Sequence, residues 1–444
     1  MERPDERKEG TLRVARAAAV LITTAMAVSA CGPSATAVPS PTRPTTAAYS
    51  PSTRASGPSS VPANSASAPA AAAFREWTRI DLPDPSPSVY GGGTPTAVVA
   101  FHGGYVATGS VWSSCCANGD PSENRGVVWT STDGRSWALR DNIAAFDHAS
   151  LTGLVTDGTR LIAVGTYAAP IPNQPGVSVP AVWVSADGST WVRAADPAPS
   201  FVTVGPHGFL GAVITQAPSS YVTSPQFVTS TDGLTWTNVS GVFNADLAGI
   251  AAAPDGTAMA VGSVAGAPRT NGTTTVDMVV WRSANGTTWT GPETIAHDAR
   301  PVSAASDGHG FLAVVRLSAL LPNGSISDLS RVWRFVGGDP SKEASIPLGD
   351  DETLSSIFVV GDALLATGYT LVGGGQGVGV ANAMVWVSTD AGTTWGRVAD
   401  QKAFSDINNE LAGMVQIPGG LLAVGRRWDS ASMHALPEVW LADR

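Results

Sequence analysis

Apolar residues along this chain come in short runs, not in long helical stripes. Beyond residue 75 the runs are rich in Val, Trp, Thr and Leu and are bounded by Gly, Asn, Asp and Pro. That pattern predicts strands joined by tight turns. One run returns with its polar neighbours attached. It reads Val127-Val-Trp-Thr-Ser-Thr-Asp-Gly-Arg-Ser-Trp137, then Val182-Trp-Val-Ser-Ala-Asp-Gly-Ser-Thr-Trp191 and Phe227-Val-Thr-Ser-Thr-Asp-Gly-Leu-Thr-Trp236. Further copies are Val280-Trp-Arg-Ser-Ala-Asn-Gly-Thr-Thr-Trp289 and Val385-Trp-Val-Ser-Thr-Asp-Ala-Gly-Thr-Thr-Trp395. A decayed copy begins at Val332, and a last one, Val439-Trp-Leu-Ala-Asp-Arg444, stops at the end of the chain.

From Trp129 to Trp440 the phrase advances in six steps, about 52 residues each. Ahead of most copies lies a second phrase, such as Leu161-Ile-Ala-Val-Gly165 or Leu421-Leu-Ala-Val-Gly425. Ahead of that lies a short run such as Leu151-Thr-Gly-Leu-Val155. Each repeat therefore predicts strand, turn, strand, long loop, strand, Asp-Gly turn, strand. Gly tolerates positive φ and Asp bonds nearby backbone N–H groups, so Asp-Gly suits a tight connection.

Four antiparallel strands repeated radially make a propeller blade. The last repeat lacks its fourth strand. Glu76-Trp-Thr-Arg-Ile80, at the front of the domain, matches the strand that follows each phrase. Pairing Trp77–Ile80 with Val439–Ala442 would remove the open edges. The expected fold is all-β: a seven-bladed β-propeller over residues 74–444, closed by pairing of the N-terminal strand with the C-terminal blade.

The phrase resembles the Asp-box (BNR) repeat, Ser-x-Asp-x-Gly-x-Thr-Trp, of the sialidase superfamily and other secreted propellers. Ser388 to Trp395 matches it throughout, and the copies at Ser131, Ser185, Ser230 and Ser283 are one residue shorter. In that family the box is a structural turn away from the ligand face. The resemblance thus implies that Asp133, Asp187, Asp232, Asn285 and Asp390 cap turns.

The first 73 residues are of another kind. Five basic and four acidic residues in 1–16 precede an uncharged run, Ala17–Ala30. That run is too short to span a bilayer and suits the core of a signal peptide over residues 1–30. It ends Val28-Ser-Ala-Cys31, which resembles a bacterial lipobox and implies a diacylglyceryl anchor on Cys31. Two acyl chains suffice for stable attachment. Residues 31–73 are mostly Ala, Ser, Thr, Pro and Gly. They read as a disordered tether spanning about 35 Å. The expected address is the outer face of a bacterial cell membrane.

Composition narrows the function. The 444 residues carry 26 Lys and Arg against 36 Asp and Glu, a net charge of −10. Nucleic-acid binding, which needs clustered basic groups, is not expected. Three cysteines exclude a disulfide scaffold and a four-cysteine zinc site. The chain is expected to be a monomer without a cofactor.

Departures from the repeat are the candidate site. Twelve of fourteen Trp fit it; Trp112 and Trp428 do not, each three residues after the glycine of the second phrase. Closure would make their blades neighbours, and paired indoles would form a platform for sugar rings or a peptide. Arg426 and Arg427 lie beside Trp428. The alternative is that both Trp simply cover the ends of their blades. Cys115 and Cys116, in the same loop as Trp112, can pair with each other, bridge to another chain or stay reduced. Six acids precede the innermost strands: Asp147, Asp196, Asp246, Asp298, Glu352 and Glu410. They would ring the channel mouth, either as a rim for a cation such as Ca2+ or as a solvated face.

Three functions compete. The first is a non-catalytic surface scaffold that binds a glycan or an envelope protein. The second is a glycoside hydrolase, because the resemblance to sialidases implies three arginines, a Tyr–Glu pair and an acid Asp. Arg300, Arg316, Arg331 and Arg427 could supply the arginines, but no Phe-Arg-Ile-Pro segment precedes the first repeat. The third is an assembly factor for a membrane complex, a fold-level analogy.

Overall fold

In the computed structural model the described residues are 74, 76–85, 91–112, 123–172, 174–216, 223–239, 243–269, 272–320, 326–336, 339–344, 346–349, 352–372, 380–398, 402–404, 409–429 and 434–443. Among them, no helix is long and apolar enough to cross a membrane. The signal peptide, Cys31, the tether, Cys115 and Cys116 all lie outside the described residues.

The repeats fold as the turn chemistry predicts, into antiparallel four-strand meanders. Repeat one holds β2 (Gly91–Phe101), β3 (Gly104–Val111), β4 (Arg125–Ser131) and β5 (Ala138–Arg140), after an isolated β1 (Trp77–Asp81). Repeat two holds β6 (Ala149–Thr156), β7 (Leu161–Ile171), β8 (Gln174–Ser185) and β9 (Val192–Arg193). Repeat three holds β10 (Phe201–Gly205), β11 (Gly208–Gln216), β12 (Thr223–Ser230) and β13 (Thr237–Asn238). Repeat four holds β14 (Asp246–Ala252), β15 (Ala258–Pro268), β16 (Thr274–Ser283) and β17 (Trp289–Ala296). Repeat five holds β18 (Ala299–Ser306), β19 (Phe311–Leu320), β20 (Ile326–Val336) and β21 (Asp339–Ala344). Repeat six holds β22 (Glu352–Val360), β23 (Ala363–Val372), β24 (Val380–Ser388) and β25 (Gly396–Arg397). The last repeat holds β26 (Asn409–Ile417), β27 (Gly420–Asp429) and β28 (His434–Asp443).

Repeats two to six form five separate four-stranded sheets, and the architecture is a β-propeller. The expectation of seven separate blades needs correction. The strands of the first and last repeats form one eight-stranded sheet, ordered β26-β27-β28-β2-β3-β4-β5, with β1 also on β28. The join is a short parallel pairing of Gly91 with His434 and Gly92 with Ala435. A side chain at Gly92, whose φ is 132°, would run into the Ala435 backbone, so glycine is what lets the strands meet. Farther along that same edge of β28, Trp77 pairs with Ala442 and Ile80 with Val439, antiparallel, while β27 fills the opposite edge. The first strand of each repeat lies against the first strand of the next, and β2 lies against β26.

The core sits between successive sheets. Val106 and Val128 of repeat one, for example, pack with Leu151, Leu161 and Trp183 of repeat two. Trp129, Trp183, Trp281, Trp386 and Trp440 are fully buried. In the decayed fifth repeat Trp333 is only half-buried. The repeated glycine of the second phrase has a steric reason. The first strand carries a bulge at Pro95/Ala97, Leu151/Gly153, Leu247/Gly249, Leu354/Ser356 and Leu411/Gly413. It turns a carbonyl (Thr94, Ser150, Asp246, Thr353 or Glu410) onto Gly109, Gly165, Gly262, Gly368 or Gly425. A Cβ there would collide with that oxygen.

Candidate functional site

The Asp-box turns share one plan. Ser131 Oγ accepts the Gly134 N–H at 2.8 Å, and Asp133 Oδ1 accepts those of Arg135 and Ser136 at 2.8 and 2.7 Å. Asp187 and Asp232 do the same for the two residues that follow their glycines. Asn285 Oδ1 holds Thr287 and Thr288, and Asp390 Oδ1 holds Thr394. These oxygens are committed to backbone and sit between the third and fourth strands. The Ser136 and Arg135 N–H groups pull the Asp133 pKa down to about 2. A carboxyl depressed in this way stabilises the fold above its ordinary value and loses that contribution as pH falls through its folded value. Asp133 is expected to titrate near 2 when followed by carboxyl carbon NMR. An ordinary carboxylate value would mean that the turn is open in solution.

Trp112 follows β3 and Trp428 lies in β27, and both are half-exposed. The joined sheet brings them to the same end. Val111 pairs with Gly93, Gly92 with Ala435, and Ala435 with Trp428. That is three strand spacings, about 14 Å. The indoles therefore flank one end of the sheet and are not side by side; no ring contact joins them among the described residues. Arg426 and Arg427 are engaged within the sheet. Arg426 pairs with Glu410 at 3.0 Å, and Arg427 Nε donates to Glu438 at 2.7 Å. Glu438 is fully buried and also lies 3.6 Å from Arg79 of β1. It pairs with Gly425 across the ladder.

The six acids do lead into the innermost strands, but five of them are met by a partner side chain. Asp196 pairs with Arg193 and Glu352 with Arg397, both at 3.0 Å, and Asp298 with Arg269. Glu410 has Arg426, and Asp246 accepts the Thr223 hydroxyl at 2.6 Å. Asp147 is exposed, its backbone bridged to Arg125. Among the described residues no three His, Cys, Asp or Glu side chains gather to hold a metal ion.

Two carboxylate–imidazole pairs escaped the sequence reading. His297 Nδ1 lies 2.7 Å from buried Asp277, and buried His434 Nε2 lies 2.7 Å from Asp84. Their partners are 20 and 350 residues apart, so no local spacing betrays them.

No known family profile matches the chain, and no curated protein matches its sequence. Among solved structures, it is similar to a Trypanosoma rangeli sialidase at 10% identity and TM-score 0.43, covering 82% of this chain and 59% of that one. It is similar to the β-propeller domain of the Trilobed protease from Pyrococcus furiosus at 10% identity and TM-score 0.43, covering 78% and 95%. The Pyrococcus horikoshii acylaminoacyl peptidase follows at 10% and TM-score 0.47, covering 79% and 51%. The chain thus spans about three fifths of the length of that sialidase.

Proposed function

We propose that this chain is an exported, lipid-anchored Asp-box β-propeller that serves as a non-catalytic binding scaffold on the outer cell surface. Its ligand is a glycan or an envelope protein. The closed ring is inferred from the β1–β28 pairing and the contact of β2 with β26. The anchor rests on the Val28-to-Cys31 segment and the tether behind it. One observation carries the binding site: the two Trp that break the repeat stand half-exposed at the same end of a single rigid sheet. Spaced about 14 Å apart, they suit an extended ligand that touches both. Loop-borne recognition on a rigid scaffold fits this architecture.

A second reading has one observation in its favour. Arg300 of β18 stands directly opposite Arg316 of β19. Like charges in that position repel, and an anionic group would relieve them. That would suit a sialidase-like hydrolase.

The test incubates the protein with sialylated and bacterial-envelope glycans and reads bound and cleaved species by mass spectrometry. Retained, uncleaved glycan is expected, with affinity reduced at least about tenfold in Trp112→Ala with Trp428→Ala. Cleaved product would replace the scaffold reading with the hydrolase one. Neither binding nor cleavage would leave a protein partner, including the assembly role, to be sought by pull-down.

A further inference from the structure

Successive repeats meet on the face of the Asp-Gly turns in a regular way. In each repeat the second strand, third strand and fourth strand set three paired residues in a row. Where an Asp-box turn follows, that row faces the turn glycine of the next repeat. A Cβ on Gly188 would lie 3.3 Å from Val106, one on Gly392 3.7 Å from Leu312, and one on Gly134 2.9 Å from Leu422. Gly233 is met by Ile162 and Val184. At the junction of repeats five and six, Arg334 reaches across to the Ala391 carbonyl at 2.9 Å. Side chains of the preceding repeat thus plug each of these junctions.

The junction of repeats three and four is different. A Cβ on Gly286 would meet nothing within 4 Å but the Gly256 carbonyl, at 3.9 Å. The row that faces it is Leu210, Thr229 and Thr237. In the other repeats the rows are Val106-Thr130-Ala138, Ile162-Val184-Val192, Met259-Arg282-Thr290, Leu312-Arg334-Lys342 and Leu365-Val387-Gly396. The last repeat with β1 has Leu422-Leu441-Thr78. Only repeat three places two hydroxyls side by side, and they are too short to reach the next turn.

The turn of repeat four departs as well. In four other turns the second Trp donates its indole N–H to the turn glycine carbonyl, at 3.1 to 3.3 Å. Trp289 instead lies stacked on Phe227 of repeat three, ring centres 3.9 Å apart, its buried Nε1 without a partner among the described residues. Asn285 stands where most copies have Asp.

A cavity of about 270 Å³ opens there, lined by Thr229, Thr237, Asn285 and Thr287, with Leu210 beneath and Ala252 at its side. Hydroxyl and amide groups both donate and accept hydrogen bonds, and the apolar floor suits a C–H face. No Lys or Arg lines the cavity; the one imidazole on it is His207, and the Asp232 carboxylate on its rim is held ionised by the Thr235 N–H, so a neutral ligand suits it better than an anion.

We infer that the junction of repeats three and four is a second ligand site, taking a single neutral sugar unit. It lies on the turn face, whereas Trp112 and Trp428 lie beyond the opposite ends of the second strands. The two sites are independent.

The test titrates the full-length protein with N-acetylglucosamine, galactose and mannose, and with galacturonate as the anionic control, by ligand-observed NMR. At least one neutral sugar is expected to bind. Thr229→Val with Thr237→Val keeps the β-branched shape, removes both hydroxyls and should weaken binding about tenfold. Thr237→Val alone, at an exposed position, should weaken it in the same direction. Trp112→Ala with Trp428→Ala should leave it unchanged. Three results would overturn the inference: no neutral sugar bound at concentrations on the order of tens of millimolar, binding indifferent to both Thr variants, or galacturonate bound as well as its neutral counterparts.

Discussion

Trp440→Ala is expected to destabilise the protein by about 4 kcal/mol. Trp440 is fully buried, stands opposite Arg79 of β1 and donates its indole N–H to the Ala403 carbonyl at 3.1 Å. It packs with Phe404, Trp77 and Leu421 where the N-terminal strand meets the last repeat. Truncation leaves a large hole and an unsatisfied carbonyl, and the surrounding strands cannot collapse without breaking their ladders. Trp333→Ala, at the equivalent but half-buried position of the fifth repeat, should lose clearly less. Urea unfolding followed by far-UV circular dichroism measures both. Equal losses would show that burial at the β1–β28 seam is not what makes Trp440 matter.

The second large effect concerns Glu438. Its removal in Glu438→Ala leaves Arg427, and in part Arg79, as cations without their carboxylate, a loss of about 3 kcal/mol. Glu438→Gln retains the shape and should lose less. The pH dependence has a definite sign. Burial pushes the Glu438 pKa up, against the pull of Arg427 and Arg79, and Asp81 opposite adds to the rise. The folded form therefore holds its proton more tightly than the unfolded chain. Its contribution is fully present below the ordinary carboxylate value and is lost as pH rises through the raised one. Stability of the wild type should fall across that window, and the Gln variant should lack the fall. The opposite slope would mean that the arginines outweigh burial.

Much of the fold was legible because each repeat states the same local rules. Gly165, Gly262 and their equivalents recur because one bulge recurs, and Trp77–Ile80 resembles a fourth strand because it is one. The merging of the first and last repeats was not legible. It turns on two rungs at Gly91 and Gly92, and a glycine in a strand run predicts a bulge or a close approach without naming the partner. The Trp112 and Trp428 loops stood out as breaks in the repeat, but their spacing depends on that same join. The rim acids were visible; that Arg269, Arg397 and Arg426 answer three of them was not, since those partners lie far along the chain, whereas Arg193 stands only three residues from Asp196. The cavity beside Gly286 needs knowledge of which row faces which turn, and periodicity is silent on that.

The meeting of β1 and β28 also decides how the molecule carries load. Tension arriving along the chain ahead of residue 74 reaches buried Phe74 first. Its carbonyl is tied to the Trp77 indole at 2.9 Å. It passes next to the Trp77–Ala442 rung and only last to Asp81–Glu438. The first strand to take load from that side is thus the five-residue β1. Within that strand Arg79 is tied to Glu438, which Arg427 also holds.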